Sequence, residues 1–498
     1  MYVYLYYMEE EDIATYIGYK GYSIYKENIS VEEQQLLRKE LNVKPFVPKS
    51  SLIKPQPFPV YRESKSKLYV PRFYGIEVYG EPDDIILEDG KTINLKFKGE
   101  LRPKQKPIVE KYMKHIKTNY SGLLALHTGF GKTCLALNII SKIGLKTIII
   151  VHKEFLLRQW IERIEQFLPD AKVGKIQAKT IDTEDKDIVI CMLQSLSMKD
   201  YPKDMFKEYG FMVVDEVHHL GAEVFSRAFY KVVTKYSLGL SATIKRKDGL
   251  TKVIKWFLGD VVCKLERKGE DNVLVKVINY ETTDENFNKV ELNFRGQVNY
   301  TGMIKKLCEF NRRSEFILKV LGDLLKENKD QQIMILAHQK KLLQYLHDAI
   351  KHRTIATVGY YIGGMKEKDL KISEGKKVII ATYAMAEEGL DIKTLTTLIM
   401  ATPKVDVTQS VGRILRKKHK QAVVVDIVDS HVLFQRHFTK RRTFYKRSKF
   451  KVIQTNMSGY QNNNWDVIYD PVNNIKKAFK SSKKNEDKLL QGVCLIGD

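Results

Sequence analysis

The chain has 498 residues, of which 43% are hydrophobic and 29% are charged, which is ample for globular folding. This length exceeds what one hydrophobic core supports, so about two to four domains are expected and a single small domain is excluded. The 84 lysines and arginines against 60 acidic residues give a net charge of +24, which is more than solubility requires and favours nucleic acid as a partner.

The N-terminal segment, residues 1–95, is predicted to form a separate accessory domain that binds nucleic acid. Proline is frequent between Pro45 and Pro71, and strand patterns do not alternate with helix patterns. From residue 96 to residue 265 apolar strands alternate with amphipathic helices, which is typical of a parallel sheet covered on both faces. The strands predicted in this first α/β lobe are Leu123–Leu126, Thr147–Val151, Ile188–Met192, Met212–Val214 and Leu238–Leu240.

The rest of the chain is predicted to form a connector, a second lobe and an extension. Residues 266–305 mix polar with apolar positions and are expected to form a hairpin-like connector. Over residues 306–430 the alternation resumes, without a sequence repeat. Residues 431–498 are first basic and then polar, which indicates loops or a loosely ordered tail. The elements predicted in the second lobe are a helix near Asn311–Asn328 and strands at Ile333–Leu336, Val378–Ala381, Leu398–Ala401 and Val423–Val428.

The cysteines and the N-terminus indicate the compartment. The segment Met1–Met8 is apolar but short and lacks a basic flank, so we expect no signal peptide, and no apolar stretch is long enough to span a bilayer. The five cysteines are scattered without metal-ligand spacing, which predicts reduced thiols in an intracellular protein. They are Cys134, Cys191, Cys263, Cys308 and Cys494.

A glycine turn between a predicted strand and a predicted helix indicates a phosphate-binding loop. Glycines let backbone N–H groups face phosphate oxygens, and the helix N-terminus adds the positive end of its dipole. Lys132 is expected to reach the β- and γ-phosphates of ATP, and the Thr133 hydroxyl to hold Mg²⁺. The alternative is an ordinary turn between a strand and a helix. The turn residues expected to contact the nucleotide are His127, Thr128, Gly129, Phe130 and Gly131.

Upstream of this loop, Arg102 and Gln105 are further candidates for nucleotide contact. The Gln105 amide is expected to hydrogen-bond an adenine edge; the alternative is an ordinary surface glutamine. Downstream, the apolar run Phe211–Val214 is predicted to deliver Asp215 and Glu216 to the carboxyl end of a strand, where ligands bind in α/β sheets.

The acidic pair and its neighbours suggest hydrolysis coupled to movement. Asp215 is expected to coordinate Mg²⁺, and Glu216 to orient and deprotonate the attacking water. An acidic pair after a strand also occurs as a simple helix N-cap. His218 is expected to couple the nucleotide site to movement, with Ser241 and Thr243 at the end of another strand. A capping turn at the strand end explains Ser241 and Thr243 equally well.

In the second lobe, Thr382–Asp391 ends a predicted strand and turns at Gly389. The helix Gln409–Arg416 places Gln409, Arg413 and Arg416 on one face. Arginines facing a γ-phosphate stabilise transition-state charge, so both arginines are catalytic candidates; a solvated helix face is the alternative.

The run Gln435–Lys451 combines aromatic and basic residues without any acid. Its cations, among them Arg441 and Arg442, are expected to neutralise phosphates, while Phe444 and Tyr445 stack on bases. An amphipathic helix with a solvated basic face is the alternative, and both interpretations are compatible with one helix.

In this order the motifs resemble those of a superfamily 2 helicase or translocase, over about residues 96–430. The resemblance implies two tandem RecA-like parallel-sheet lobes in an α/β fold, with a small N-terminal domain and a basic C-terminal extension. It also implies nucleotide contacts from Gly389 and Asp391, coupling through Gln409, and nucleic-acid contacts from Gln194, Ser195 and Thr382.

The triplet Arg246-Lys247-Asp248 is similar to the motif of the XPB-like branch, which has glutamate at its middle position, and implies a nucleic-acid contact from Arg246. Four segments look like those of the transcript-release helicases of poxviruses and other large DNA viruses, and the phage UvsW helicase is a more distant resemblance. The high Lys, Asn, Ile and Tyr content suits a giant virus with an AT-rich genome. The four segments are Tyr61–Ser64, Leu68–Gly75, Gly359–Met365 and Phe434–Tyr445.

The resemblance implies an ATP- and Mg²⁺-dependent DNA helicase that moves 3′ to 5′ and acts in viral transcription, through transcript release or termination. DNA, a DNA–RNA hybrid, RNA polymerase and transcription factors are the expected partners of a monomer without membrane contact, located in a cytoplasmic virus factory or virion. The alternatives are a repair helicase that remodels branched DNA, an RNA helicase and a non-catalytic nucleic-acid clamp. A nuclease is not expected, since no acidic metal cluster accompanies the ATP site.

Overall fold

The computed structural model describes residues 15–47, 55–202, 204–219, 222–246, 248–266, 272–388, 392–415 and 420–473. The chain divides into two compact units, residues 1–266 and residues 267–498. Within the described ranges, no helix combines the length and the apolar character needed to cross a bilayer.

The N-terminal part of the first unit contains a small, mostly antiparallel sheet with strand order β5-β6-β2-β1-β7, beside the pair β3-β4. Ser30 caps the first helix: its hydroxyl accepts from Glu33 N, while the Glu33 carboxylate accepts from Ser30 N. The elements are β1 Thr15–Gly18, β2 Gly21–Tyr25, α1 Val31–Glu40, β3 Asn42–Val43, β4 Phe58–Pro59, β5 Arg62–Glu63, β6 Lys67–Val70, α2 Arg72–Tyr79 and β7 Asp84–Ile85.

This N-terminal part shares its core with the α/β lobe that follows it. One continuous hydrophobic cluster joins residues from both. The Tyr74 ring packs edge-on against Trp256 at 5.1 Å between centroids, and the Tyr230 hydroxyl donates to the carbonyl of Val60 at 2.8 Å. The sequence suggested a separate domain at residues 1–95, but the aromatic residues there are buried against the lobe, so this part is not an independent compact unit.

The α/β lobe of the first unit is built on an eight-stranded sheet of order β11-β10-β12-β9-β13-β14-β8-β15, parallel except for the pairing of β10 with β11. Its central strands are buried runs such as Thr147–Val151, as expected for parallel strands covered on both faces. The elements are α3 Lys106–Asn119, β8 Ser121–Leu126, α4 Lys132–Ile143, β9 Thr147–Val151, α5 Glu154–Phe167, β10 Val173–Gln177, β11 Thr180–Asp182, β12 Ile188–Met192, α6 Leu193–Met198, β13 Phe211–Val214, α7 Ala222–Phe229, β14 Tyr236–Ser241, α8 Thr251–Leu258 and β15 Val261–Leu265.

The second unit contains another eight-stranded sheet, of order β18-β19-β17-β20-β21-β16-β22-β23, parallel except for the pairing of β22 with β23. The elements are β16 Val273–Tyr280, α9 Glu285–Asn288, α10 Tyr300–Glu309, α11 Asn311–Glu327, β17 Gln332–Ala337, α12 Lys340–His352, β18 Val358–Tyr361, α13 Glu367–Glu374, β19 Val378–Thr382, α14 Tyr383–Glu388, β20 Leu395–Met400, α15 Thr408–Arg413, β21 Ala422–Asp429, α16 Val432–Arg447, β22 Lys451–Asn456, α17 Met457–Gln461 and β23 Asp466–Tyr469.

Two expected segments instead belong to the second sheet. Residues 273–280, expected within a connector, form β16 and pair in parallel with both β21 and β22. Buried and half-buried positions alternate along this strand, so its sequence lacks the continuous apolar run by which the other parallel strands were predicted. Residues 432–469, expected in an extension, add α16, β22 and β23 to the unit. Residues 474–498, including Cys494, lie outside the described part of the chain.

Candidate nucleotide and nucleic-acid sites

The predicted phosphate loop lies between the end of β8 and the start of α4. Gly129 and Gly131 have φ angles of +82° and +90°, in the left-handed region that favours glycine. A Cβ atom on Gly131 would lie 2.5 Å from Arg102 Nη2 and 2.7 Å from Gln105 Nε2. The glycine at position 131 is therefore required by both its backbone conformation and its neighbours.

Gln105 and Arg102, which precede the phosphate loop in the sequence, both form hydrogen bonds with its backbone. Gln105 is only 2% exposed, so it is not an ordinary surface glutamine. Its Nε2 donates to the carbonyl of Phe130 at 2.9 Å, and its Oε1 accepts from the backbone N–H of Arg102 at 2.9 Å. The Arg102 guanidinium also donates to the Phe130 carbonyl. The pair expected to contact the nucleotide thus contacts the phosphate loop directly, and the His127 ring packs edge-on against Phe130.

Lys132 and the acidic pair come together at the carboxyl ends of the strands. Lys132 Nζ lies 2.8 Å from Glu216 Oε1. Asp215 is buried: its Oδ2 accepts from Trp160 Nε1 at 2.9 Å, and its Oδ1 accepts from the Glu216 backbone N–H at 2.9 Å. Burial, together with the Glu216 charge, raises the pKa of Asp215 to about 6, although Lys132 and Trp160 act in the opposite direction.

A chain of polar contacts leads from Glu216 to the end of β14. His218 Nδ1 lies 3.4 Å from Glu216 Oε2 and 2.8 Å from Ser241 Oγ. The Ser241 hydroxyl also contacts the backbone of Thr243, and the Glu216 backbone has a φ of +47°. The three residues expected to couple the nucleotide site to movement are therefore brought together beside the expected catalytic carboxylate.

The prediction that Arg246 contacts nucleic acid is not supported by its position. Its guanidinium forms a two-pronged ion pair with Asp248, while Nη1 donates to the carbonyl of His218 at 3.4 Å. Its side chain is largely buried, so Arg246 fixes the segment after the acidic pair and does not present its charge to a ligand. Lys247, between these two residues, lies outside the described part of the chain.

The turn after β12 contains Gln194 and Ser195, which were expected to contact nucleic acid. Gln194 is exposed, and its Nε2 donates to the carbonyl of His152 at 3.2 Å. Ser195 is buried, and its hydroxyl accepts from the backbone N–H of Ala178 at 2.9 Å. The Ser195 oxygen thus holds the turn before β11, and a contact between its hydroxyl hydrogen and nucleic acid stays a prediction.

In the second unit, Thr382 lies half-buried at the carboxyl end of β19, and Gln409 lies half-buried on α15. Arg413 is buried and donates to the backbone carbonyl of Glu387. Glu387 Oε1 also contacts Ser410 Oγ at 3.2 Å, so α14 and α15 are held together at this carboxylate. Three predicted site residues lie outside the described ranges: Gly389, Asp391 and Arg416.

Helix α16 corrects the expectation for Arg441. This residue is 0% exposed, and its guanidinium pairs with Asp426 through Nε–Oδ2 and Nη2–Oδ1 contacts of 2.8 and 2.9 Å. The Tyr445 hydroxyl donates to the same carboxylate at 3.0 Å, so neither side chain reaches a nucleic acid. Arg442 is exposed. The cations on the outward surface of the helix are Arg436, Lys440, Arg442, Lys446 and Arg447.

Sequence reasoning missed Trp160, Glu387 and Asp426. Trp160 follows the apolar helical pattern of Leu156 and Ile164, so its sequence position predicts only a core residue. Asp426 interrupts the apolar strand Ala422–Asp429, and a lone acid there does signal a buried cationic partner. That signal indicates a buried cation, but the packing of α16 is needed to show that Arg441 supplies it.

Two regions of the chain match known protein families. Residues 98–246 match the family described as type III restriction enzyme, res subunit, and residues 316–418 match the helicase conserved C-terminal domain. A protein of Acanthamoeba polyphaga mimivirus, provisionally named an ATP-dependent RNA helicase, is 34% identical over 498 residues and covers 97% of this chain and 94% of its own. A provisionally named helicase of Invertebrate iridescent virus 6 is 28% identical over 379 residues, covering 72% of this chain and 83% of its own.

Among solved structures, S. cerevisiae Dbp5 bound to RNA and ADP BeF3 is similar in fold. The match covers 73% of this chain and 95% of that chain, with a TM-score of 0.50 and 14% sequence identity. At this identity the likeness concerns the fold alone, and it agrees with the two α/β lobes described above.

Proposed function

Because this chain belongs to the superfamily 2 helicases, which are ATP-dependent enzymes, we propose that it is a DNA helicase or translocase that moves 3′ to 5′ and acts in viral transcription. Its role there is to release transcripts or terminate their synthesis. RNA polymerase and transcription factors are the proposed partners of a monomeric motor. The proposed location is the cytoplasmic virus factory or the virion.

The observation that carries the proposal is the contact between Lys132 and Glu216, at 2.8 Å. Phosphate oxygens at the loop attract the Lys132 ammonium, which then leaves the carboxylate. Glu216 is thereby freed to orient an attacking water and accept its proton. In this scheme Glu216 becomes available as a general base only when a nucleotide is bound, because until then its carboxylate is paired with Lys132.

Thr133 and Asp215 supply oxygen atoms, the ligand type that Mg²⁺ prefers, so their chemistry fits this ion. When bound there, Mg²⁺ would supply positive charge against the phosphates of the nucleotide. Trp160 and the Glu216 N–H orient the Asp215 carboxylate for this role. Arg413 is proposed to leave the Glu387 carbonyl and stabilise charge on the transferred phosphoryl group.

Movement is proposed to follow from the contacts between Glu216, His218 and Ser241. When Glu216 turns toward water, His218 loses a partner and the end of β14 is free to shift. The nucleic acid is contacted by Gln194, by Thr382 and by the outward cations of α16, including Arg442. Such backbone contacts do not depend on base sequence and weaken with salt.

A DNA substrate and a transcription role are supported by sequence likeness. Residues 98–246 match a family described as a restriction-enzyme subunit, and relatives over most of the chain occur in two large DNA viruses. An RNA helicase is the second candidate. The observation that favours it is the name of the mimivirus relative, which specifies RNA.

The test is the steady-state ATPase rate with single-stranded DNA, duplex DNA, forked DNA and RNA at one salt concentration. Stimulation by DNA well above that by RNA supports the DNA motor, and release of transcripts from stalled polymerase complexes is then the next assay. Stimulation mainly by RNA replaces the proposal with the RNA helicase. Absence of turnover with every nucleic acid contradicts both.

A further inference from the structure

Residues 289–300, which connect α9 to α10, contain a short β-hairpin, called here the pin. Leu292 and Val298 face each other as an antiparallel bridge, and Asn293 N donates to the Gln297 carbonyl at 2.7 Å. Gly296 N donates to the Asn293 carbonyl at 2.9 Å, and Gly296 has a φ of +69°. This is a three-residue loop closed by a left-handed glycine, and it places Phe294 and Arg295 at the tip.

The pin turns its apolar face to solvent. Phe294 is 81% exposed, and the other three members of this face are also exposed although all are large aliphatic residues. A monomeric protein normally buries such a set, and exposed apolar patches mark sites of interaction. The apolar face consists of Val290, Leu292, Phe294 and Val298.

The opposite, polar face of the pin attaches it to α10. Glu291 Oε1 lies 2.7 Å from Lys306 Nζ, and Glu291 N donates to Met303 Sδ at 3.2 Å. The Asn299 side chain caps α10 by accepting from Gly302 N at 3.0 Å. Met303 is part of the core of the second unit, so the pin is held firmly at its base. A Cβ atom on Gly296 would meet nothing within 4 Å, so the turn itself stands clear of other atoms.

The pin lies near the carboxyl ends of the parallel strands of the second sheet. The pin and α9 follow the end of β16. This strand runs in the same direction as β17, β19, β20 and β21, so the carboxyl ends of all five strands lie at one edge of the sheet. At its base, the Tyr300 ring lies 5.6 Å from that of His437 on α16 and 6.4 Å from that of His338, just after β17. The pin therefore emerges at the carboxyl edge of the sheet, where Thr382 also lies.

We infer that the pin is a binding site for unpaired nucleobases, with Phe294 as the stacking platform. This inference rests on the proposed function, because it assumes a motor that holds a nucleic-acid strand. An aromatic ring stacks on any base, so it serves a motor that does not read sequence. The Arg295 guanidinium lies over one face of the Phe294 ring, 5.2 Å from its centroid, so in this scheme a base stacks on the opposite face.

Charge favours a nucleic acid over a protein as the occupant of this face. Within the pin, Lys289 and Arg295 are positive, and the acid Glu291 is already paired with Lys306. Lys289, Arg295 and Lys306 outnumber Glu291, so the surface combines apolar area with net positive charge, which fits bases joined by phosphates. Unpaired bases are available only in a single strand, so the pin contacts the strand that the motor separates or follows.

The test compares binding of two single-stranded DNAs of equal length, one ordinary and one with an abasic run, to the full-length protein. The variants are Phe294→Ala, Phe294→Trp and the control Ile372→Ala, which removes an exposed aliphatic group from α13 of the same unit. We expect Phe294→Ala to weaken binding of the ordinary strand by about fivefold or more and to leave the abasic strand unaffected. Phe294→Trp retains tight binding, and the control matches the wild type on both strands.

The salt dependence separates stacking from charge. The slope of log Kd against log salt stays the same in Phe294→Ala, since no phosphate contact is lost. Equal weakening on both strands, or no weakening on either, overturns the pin assignment. A concentration-dependent dimer that Phe294→Ala abolishes, with strand binding unchanged, also overturns it in favour of a second copy. If the wild-type protein binds neither strand, the proposed function itself fails.

Discussion

The indole N–H of Trp160 donates a hydrogen bond to the carboxylate of Asp215, with 2.9 Å between Nε1 and Oδ2. Trp160 lies on α5 and Asp215 follows β13, so this contact joins two elements distant in sequence. Both residues are buried, where a hydrogen bond to a charged group is strong. Trp160 therefore fixes the orientation of the carboxylate that is proposed to hold Mg²⁺.

Trp160→Phe is predicted to lower kcat for ATP by about tenfold and to raise the Mg²⁺ concentration needed for half-maximal activity. An aromatic ring remains but the N–H is lost, so only the Glu216 N–H still orients the Asp215 carboxylate. The matched control is Trp256→Phe, a buried tryptophan that packs against Tyr74 away from the acidic pair. ATPase assays over a Mg²⁺ series decide the matter, and an unchanged Mg²⁺ requirement contradicts the positioning role.

Lys132→Ala is predicted to lower the ATPase rate by at least about a hundredfold, because the phosphates lose their cationic contact. Binding of nucleic acid persists, since Lys132 pairs with Glu216 and not with the proposed nucleic-acid surface. Lys142→Ala, at the other end of α4, removes an equal charge and serves as the control. Undiminished turnover by Lys132→Ala would show that the phosphate loop has been assigned to the wrong residues.

Ser241→Ala is predicted to uncouple hydrolysis from movement. The substitution removes the partner of His218 Nδ1 but leaves Lys132, Asp215 and Glu216 in place. We expect ATPase activity within about threefold of wild type and strand separation or translocation reduced by about tenfold or more, from the loss of one buried hydrogen bond. Ser141→Ala, on α4, is the control. Parallel losses of both activities argue against a coupling role.

Arg441→Gln and Arg442→Gln, adjacent on α16, are predicted to act on different properties. Arg441→Gln leaves the Asp426 carboxylate buried without its cation and lowers the free energy of unfolding by about 3–5 kcal/mol. Arg442→Gln leaves stability unchanged and reduces the salt dependence of nucleic-acid binding by about one phosphate contact. Urea unfolding and binding at several salt concentrations distinguish them. Equal stability of the two variants is incompatible with the buried ion pair.

The raised pKa of Asp215 predicts a stability difference that depends on pH. This pKa rises from 3.8 in the unfolded chain to about 6 in the folded protein. The folded state therefore binds the proton more tightly, and the wild type loses stability as pH rises from about 4 to 6. Asp215→Asn has no such loss, so in Mg²⁺-free buffer its stability relative to the wild type rises as pH increases from about 4 to 6. Below pH 4 the relative stability no longer changes with the titration of Asp215. Thermal unfolding across this pH range tests the sign.

The presence of two parallel sheets was predicted from patterns in the sequence, whereas the strand order within each sheet and several side-chain roles were not. Strand β9 is a continuous apolar run that can be predicted from the local sequence alone. The predicted strands Thr147–Val151 and Ile188–Met192 have the bounds seen in the structure. Strand β16 alternates in burial and was missed for that reason. Arg441 and Arg442 are neighbours with identical chemistry, and only the packing of α16 shows that one faces Asp426 and the other faces solvent.

Ser195 and Arg246 make the same point at the candidate site. Both follow strand ends, where the family resemblance implies contacts with nucleic acid. In the structure, Ser195 binds the Ala178 N–H, and Arg246 binds Asp248 and the His218 carbonyl. Such internal partners are distant in the chain or depend on side-chain direction, so residue type and spacing do not reveal them.

The left-handed backbone of Glu216, with a φ of +47°, bears on how this position changes over generations. A residue with a β-carbon spends on the order of 1–3 kcal/mol to adopt this conformation, whereas glycine adopts it freely. Selection for stability alone would therefore favour glycine or asparagine at this position. The general-base role proposed for Glu216 supplies a reason for a side chain that the backbone conformation disfavours, so the strain at residue 216 is a cost that the proposed chemistry imposes on the fold.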